Sequence, residues 1–131
     1  MLELKKISKK FGNKQVLRDI SLKINKNDCI GIIGPSGCGK STLLRCMNSL
    51  ETITEGEIYF ENELISESYD LDYLRRNIGM VFQQYNLFSN MTVLENIILA
   101  PTKLKIMSEE EAIKKAKKLL KEIGLDKKIP D

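Results

Sequence analysis

Cys29-Ile30-Gly31-Ile32-Ile33-Gly34-Pro35-Ser36-Gly37-Cys38-Gly39-Lys40-Ser41-Thr42-Leu43-Leu44 is the stretch on which the reading of this chain turns. Its first five residues are continuously apolar and bounded by turn signals, the pattern of a strand buried on both faces. Ser41 to Asn48 then reads as a helix with Leu43, Leu44 and Met47 on one face. Between strand and helix, Gly34 to Ser41 fits G-x-x-x-x-G-K-[ST] at every fixed position. That order of residues suits a polyphosphate. Glycines let the backbone curl into a nest of inward N–H groups, and a helix beginning there adds free amides and its positive dipole end. Lys40 can reach between terminal phosphates, the Ser41 hydroxyl can ligate Mg²⁺, and Thr42 adds another amide and hydroxyl. Cys38 takes a variable position of the motif, where only backbone is used. The bland alternative is a glycine-rich turn that happens to precede a lysine, and the strand before it and helix after it weigh against that.

Before the loop, residues 1–33 read as strands separated by turns. Leu2, Leu4 and Ile7 sit in a polar background, Gly12-Asn13 forms a turn, and Val16, Leu17, Ile20, Leu22 and Ile24 follow at nearly alternate positions. Asn25 to Asp28 is a second turn. Glu55–Phe60 and Ile78–Phe82 look like further strands, with a short polar helix over Leu71–Asn77 between them. Beyond Asn90 the pattern turns helical. Thr92 with Glu95 predicts a capped helix ending before Pro101, and Ser108 with Glu111 predicts a second. The second helix carries Ile113, Ala116, Leu119, Leu120 and Ile123 on one face, with Gly124 placed to end it. Its lysines, from Lys114 to Lys121, fall elsewhere and read as a solvated surface.

The 131 residues are the length of one core-forming domain, and 30% charged against 42% hydrophobic residues is a globular balance. A net charge of +3 is too small to argue for a nucleic-acid binder. No run approaches the length that spans a bilayer, and the N-terminus does not read as a secretory signal. Three cysteines at irregular spacing fit a reducing compartment. The expectation is a cytoplasmic, soluble domain. With no histidine, a His-based triad or His–metal site is excluded.

A phosphate loop alone does not choose among GTPases, small kinases, recombinases and transporter ATPases. Its surroundings resemble the ATP-binding subunits of ABC transporters. The resemblance is carried by Ile7-Ser8-Lys9-Lys10-Phe11-Gly12, by Val16-Leu17-Arg18-Asp19-Ile20-Ser21-Leu22, by the loop itself, and by Ile78-Gly79-Met80-Val81-Phe82-Gln83-Gln84-Tyr85-Asn86-Leu87-Phe88. Within that family, Leu43 to Glu51 and Thr92 to Pro101 look most like importers of polar amino acids.

The resemblance implies an α/β fold: a P-loop NTPase core of the ABC ATPase type, with N-terminal antiparallel β-strands and the start of a helical subdomain, truncated. Residues 1–90 would form the nucleotide-binding core and residues 91–131 the beginning of the helical subdomain. It implies ATP and Mg²⁺ as cofactors. Phe11 would stack on adenine, while Gly34, Pro35, Ser36, Gly37, Cys38, Gly39, Lys40, Ser41 and Thr42 would cradle the phosphates. Ser41 and Gln83 would reach Mg²⁺, and Gln83 would also meet the attacking water. From the residues alone, Phe11 is an ordinary aromatic and Gln83 a polar residue after a strand.

As partners, the resemblance implies a second ATP-binding subunit in a head-to-tail dimer, the cytoplasmic face of transporter membrane subunits and, indirectly, a solute-binding protein. The subunit would then lie peripherally on the inner face of the cell membrane. Tyr85, Leu87, Phe88 and Met91 fall in the family's neighbourhood for docking on a membrane subunit, though packing within the protein is an equal reading. Relatives continue into a Leu-Ser-Gly-Gly-Gln type motif, a strand ending in Asp-Glu and a switch histidine. None is present, and Asp131 stands just short of the first. The chain is thus expected to be an N-terminal half, not hydrolysis-competent alone; the alternative is a non-catalytic nucleotide-binding or interaction module. A small-molecule kinase would need lid arginines and an acceptor site that the sequence does not show.

Overall fold

The computed structural model describes residues 1–125; Asp131, named above, lies outside them. The chain gathers into two compact units, the first spanning Met1–Val81 and the second beginning at Phe82, where length alone predicts one.

The first unit is built on an antiparallel sheet of four strands, ordered β2-β1-β3-β4. They are β1 (Leu2–Phe11), β2 (Lys14–Ile24), β3 (Glu55–Phe60) and β4 (Glu63–Leu64). Phe11 pairs with Lys14 across the expected Gly12-Asn13 turn, where Gly12 takes a positive φ of 56°. The imperfect alternation of apolar residues has a structural cause. Between Leu4 and Ile7 the register of β1 slips, Lys6 sits at φ 49°, and its freed N–H donates to Ser21 Oγ at 3.0 Å. On β2, Asp19 sits at φ 48° and its N–H donates to the buried Ser8 Oγ at 3.0 Å. Each bulge returns the next apolar residue to the core face and leaves no orphaned donor.

The core beneath the sheet gathers Leu2, Leu4, Ile7, Leu17, Ile58 and Phe60 with residues of two helices, α1 (Lys40–Met47) and α2 (Leu71–Asn77). Helix α1 contributes Leu43, Cys46 and Met47. The expected Leu44 is instead 44% exposed, because the i, i+3, i+4 stripe that begins at Leu43 passes through Cys46. Helix α2 has its expected bounds and contributes Leu74; Asp70 caps it, its Oδ1 accepting from the N–H groups of Asp72 and Tyr73, each at 3.0 Å.

Two expected strands are corrected. Cys29–Ile33 has no strand pairing, and Ile33 is 98% exposed. A strand exists only through hydrogen bonds to neighbours, and among the described residues none pairs with this run. Ile78–Phe82 is likewise without strand structure and has Val81 exposed, for the same reason.

The second unit pairs α3 (Val93–Lys103) with α4 (Glu109–Glu122). Both carry the capping boxes read from the sequence, Thr92 with Glu95 and Ser108 with Glu111. Helix α3 does not stop before Pro101 but contains it. The proline costs one backbone hydrogen bond, and the following Thr102 hydroxyl donates to the Ile98 and Leu99 carbonyls at 2.7 and 3.1 Å, tying the last turn to the one before it. On α4 the buried stripe is Ala112, Ala116 and Leu120, spaced by four, while the expected Leu119 and Ile123 are exposed. The lysines are exposed as expected. Gly124, at φ 73°, ends the helix: its N–H donates to Lys121 O at 3.1 Å and that of Leu125 to Leu120 O at 2.8 Å, a Schellman closure.

Candidate functional site

The segment from Gly34 to Thr42 leaves the exposed run at Ile33 and enters α1 in the first unit. Two of its glycines take left-handed conformations that other residues rarely adopt, Gly37 at φ 76° and Gly39 at φ 100°. Gly39 is also pressed against β2, since a Cβ there would lie 3.0 Å from both Val16 Cγ1 and Val16 O. The end of the loop is thereby seated on the hairpin that carries Phe11. At Gly34 a Cβ would meet Cys38 Sγ at 2.8 Å, so the loop folds back on itself; Cys38 N–H closes a turn on Pro35 O at 3.4 Å.

Helix α1 opens without a side-chain cap and without an acidic residue in its first turn. The amides of Lys40, Ser41 and Thr42 therefore have neither an intrahelical acceptor nor a local carboxylate to oppose an anion. This differs from α2, α3 and α4, each begun by an Asp, Thr or Ser that accepts first-turn amides. The Lys40 ammonium donates to Gly34 O at 2.8 Å and Pro35 O at 2.7 Å, and lies 3.7 Å from Cys38 Sγ. These are neutral acceptors in an exposed loop. Phosphate oxygens would bind the same ammonium more strongly, as charge-assisted partners. Ser41 is exposed and Thr42 half-buried at the start of the helix. The loop geometry, the open helix end and the poised ammonium fit a polyphosphate.

Phe11 ends β1, with 47% of its surface exposed, and a lysine missed in the sequence stands over it. Lys9 Nζ lies 4.7 Å from the Phe11 ring centroid. It also donates to Thr52 O at 2.6 Å and pairs with Glu51 Oε1 at 2.6 Å. An inward lysine two residues from Phe11 in an alternating strand would read as facing the same side, but the bulge at Lys6 hides that pattern.

Gln83 belongs to the second unit, exposed in the irregular stretch between Phe82 and Thr92. Asn96 of α3 clamps the end of that stretch, its Oδ1 accepting from Phe88 N–H at 2.9 Å and its Nδ2 donating to Phe88 O and Thr92 O at 3.1 and 2.9 Å. Asn96 was invisible in the sequence, where it reads as one polar helical residue among several. Among the described residues there is no cluster of three or more His, Cys, Asp or Glu side chains that could hold a metal alone. The exposed Ser41 hydroxyl at the start of α1 is an oxygen that a divalent ion could take beside phosphate oxygens and water. No helix among the described residues is long and apolar enough to cross a membrane.

Comparison with known proteins agrees with the loop. The family described as ABC transporter matches residues 17–131. A glutamine transport ATP-binding protein of Geobacillus stearothermophilus is 47% identical over all of this chain and 53% of its own length. An arginine transport ATP-binding protein of Bacillus subtilis is 44% identical over all of this chain and 55% of its own. Among solved structures, an ATP-binding cassette in a dimeric post-hydrolysis state bound to ADP and Pi is similar with a TM-score of 0.77 and 39% identity, over 92% of this chain and 56% of that one. The chain spans about half the length of the curated relatives it matches.

Proposed function

Since the chain belongs to the ABC transporter family, we propose that it is the ATP-binding part of a subunit that couples ATP hydrolysis to import of a small polar solute, an amino acid. The observation that carries this reading is helix α1, opening from a glycine nest with its first amides uncapped and the Lys40 ammonium held beside them. The transport proteins it is similar to are named for glutamine, arginine and L-cystine, which supports an amino acid as solute.

In this reading the amides from Gly34 to Thr42 bind the phosphates, and Lys40 exchanges its two carbonyl acceptors for phosphate oxygens. Bound Mg²⁺ supplies charge neutralisation of the phosphates; the Ser41 hydroxyl and the Gln83 amide oxygen would hold it. Phe11 offers its exposed ring to adenine. Gln83 orients water but, as an amide, cannot take its proton. No residue proposed here is a base, so we hold the 131 residues by themselves to bind nucleotide without turning it over. In the assembled transporter, a second ATP-binding subunit pairs head to tail with the first. The pair docks on the cytoplasmic face of the membrane subunits, which in turn receive solute from a binding protein.

Uptake by cells tests the transport reading. Glutamine, arginine, cystine and glutamate are supplied in labelled form to cells carrying either the native gene or its Lys40→Ala form. Loss of uptake of one of these solutes is expected. Undiminished uptake of all polar amino acids would contradict it.

A further inference from the structure

Lys9 is a charged side chain that none of these roles uses, and it is 6% exposed. A buried ammonium is costly unless its donors are satisfied and its charge opposed. Here the donors go to Thr52 O at 2.6 Å and Glu51 Oε1 at 2.6 Å, and the charge faces the Phe11 ring at 4.7 Å. The clamp is itself fixed at both ends. Lys10 N–H donates to Thr54 Oγ1 at 3.0 Å and Thr54 N–H to Ser8 O at 2.8 Å, which holds residues 51–54 against β1. At the other end, Leu50 and Glu51 N–H donate to Arg45 O of α1 at 2.9 and 3.2 Å. A continuous line of contacts thus runs from Phe11 through Lys9 and Glu51 into the helix whose first turn carries Lys40 and Ser41.

We propose that Lys9 is a positioning residue for the nucleotide base: clamped by Glu51 and Thr52, its ammonium backs one face of Phe11, fixing the tilt of that ring and its place relative to the helix of the phosphate loop. The inference rests on the reading of Phe11 as the residue that meets adenine. Cation–π attraction holds a ring against the cation without blocking its other face. Drawing on the ring's π-density also suits it to stack on an electron-rich purine. A nucleotide is held at two ends, and an error in the distance between them weakens binding of the whole while leaving each end intact.

The test compares Mg-ATP with Mg-tripolyphosphate, which lacks the base, by calorimetric titration of the protein as its gene encodes it. Lys9→Met is expected to weaken ATP about fivefold and leave tripolyphosphate unchanged. Lys9→Arg should restore most of the loss, and adding Lys9→Met to Phe11→Ala should weaken ATP no further. Glu51→Gln, which loosens the clamp without burying a new apolar group, should show the same selectivity if Lys9→Met fails to fold. Equal weakening of both ligands in these variants, or unchanged ATP affinity where Phe11→Ala weakens it, would overturn the role of Lys9. If Phe11→Ala itself fails to separate ATP from tripolyphosphate, the base-stacking reading falls first and takes this inference with it.

Discussion

Two apolar segments of the first unit have opposite fates. Strand β1 is paired on both sides, to β2 and β3, and delivers Leu4 and Ile7 into the core with almost no exposure. The run Cys29–Ile33, richer in apolar residues for its length, is unpaired among the described residues and leaves Ile33 in solvent. Composition therefore gives a segment the capacity to be a strand, and partners of the right register make it one. One partner of β1, the strand β2, follows across a two-residue turn, while the other, β3, returns to it from beyond α1.

The contrast can be broken most forcefully at Gly56. Its φ is 96°, and a Cβ there would come within 2.5 Å of Lys6 O and 2.6 Å of Lys5 O, where β3 crosses the bulge of β1. Gly56→Ala is expected to cost about 4 kcal/mol, near the upper end for one substitution, by forcing β3 off β1. Denaturant unfolding of the 131-residue chain measures it, and a loss under about 1 kcal/mol would mean that the close pairing of β1 with β3 does not hold its strength.

A matched pair sharpens the same comparison. Ile7→Ala should destabilise the chain by about 3 kcal/mol, through lost burial and a residual cavity. Ile33→Ala, the same chemical change in the exposed run, should stay within about 0.5 kcal/mol. Similar losses at both sites would show that Cys29–Ile33 is buried after all.

The smallest effect concerns pH in the second unit. The carboxylates of Glu95 and Glu111 are held below their usual range, first by the backbone N–H groups of Thr92 and Ser108 and then by those residues' hydroxyls. A carboxylate with a depressed folded-state pKa stabilises the fold above its unfolded pKa near 4.5, and that stabilisation is lost as pH falls through the folded value. Helical circular dichroism should therefore decline more on acidification below that pH in the native chain than in one carrying Glu95→Gln and Glu111→Gln. Identical acid profiles would remove the capping boxes as its cause.

What the sequence disclosed divides along the same line as the two segments. Features written in local chemistry were legible: the Gly12-Asn13 turn, the capping boxes at Thr92 and Ser108, the closure at Gly124, and the glycine-rich loop entering α1, with Gly37 and Gly39 at positive φ. Features that depend on distant partners were not. The strand pattern of Ile78–Phe82 promised pairing that no described residue supplies, and the bulges at Lys6 and Asp19 showed only as faults in an alternation. Lys9 looked like any strand-edge lysine until the fold brought Glu51 and Thr52 to it from beyond α1. Pro101 lies inside α3 instead of ending it, and Thr102 Oγ1 donates back to the Ile98 carbonyl of the preceding turn.

The central claim is that the loop from Gly34 to Thr42 holds the phosphates of ATP through Lys40. Calorimetric titration of the protein as its gene encodes it, and of its Lys40→Ala form, with Mg-ATP tests that most directly. Saturable binding by the native protein and none detectable in the variant is the predicted result. Equal affinity in both would contradict it.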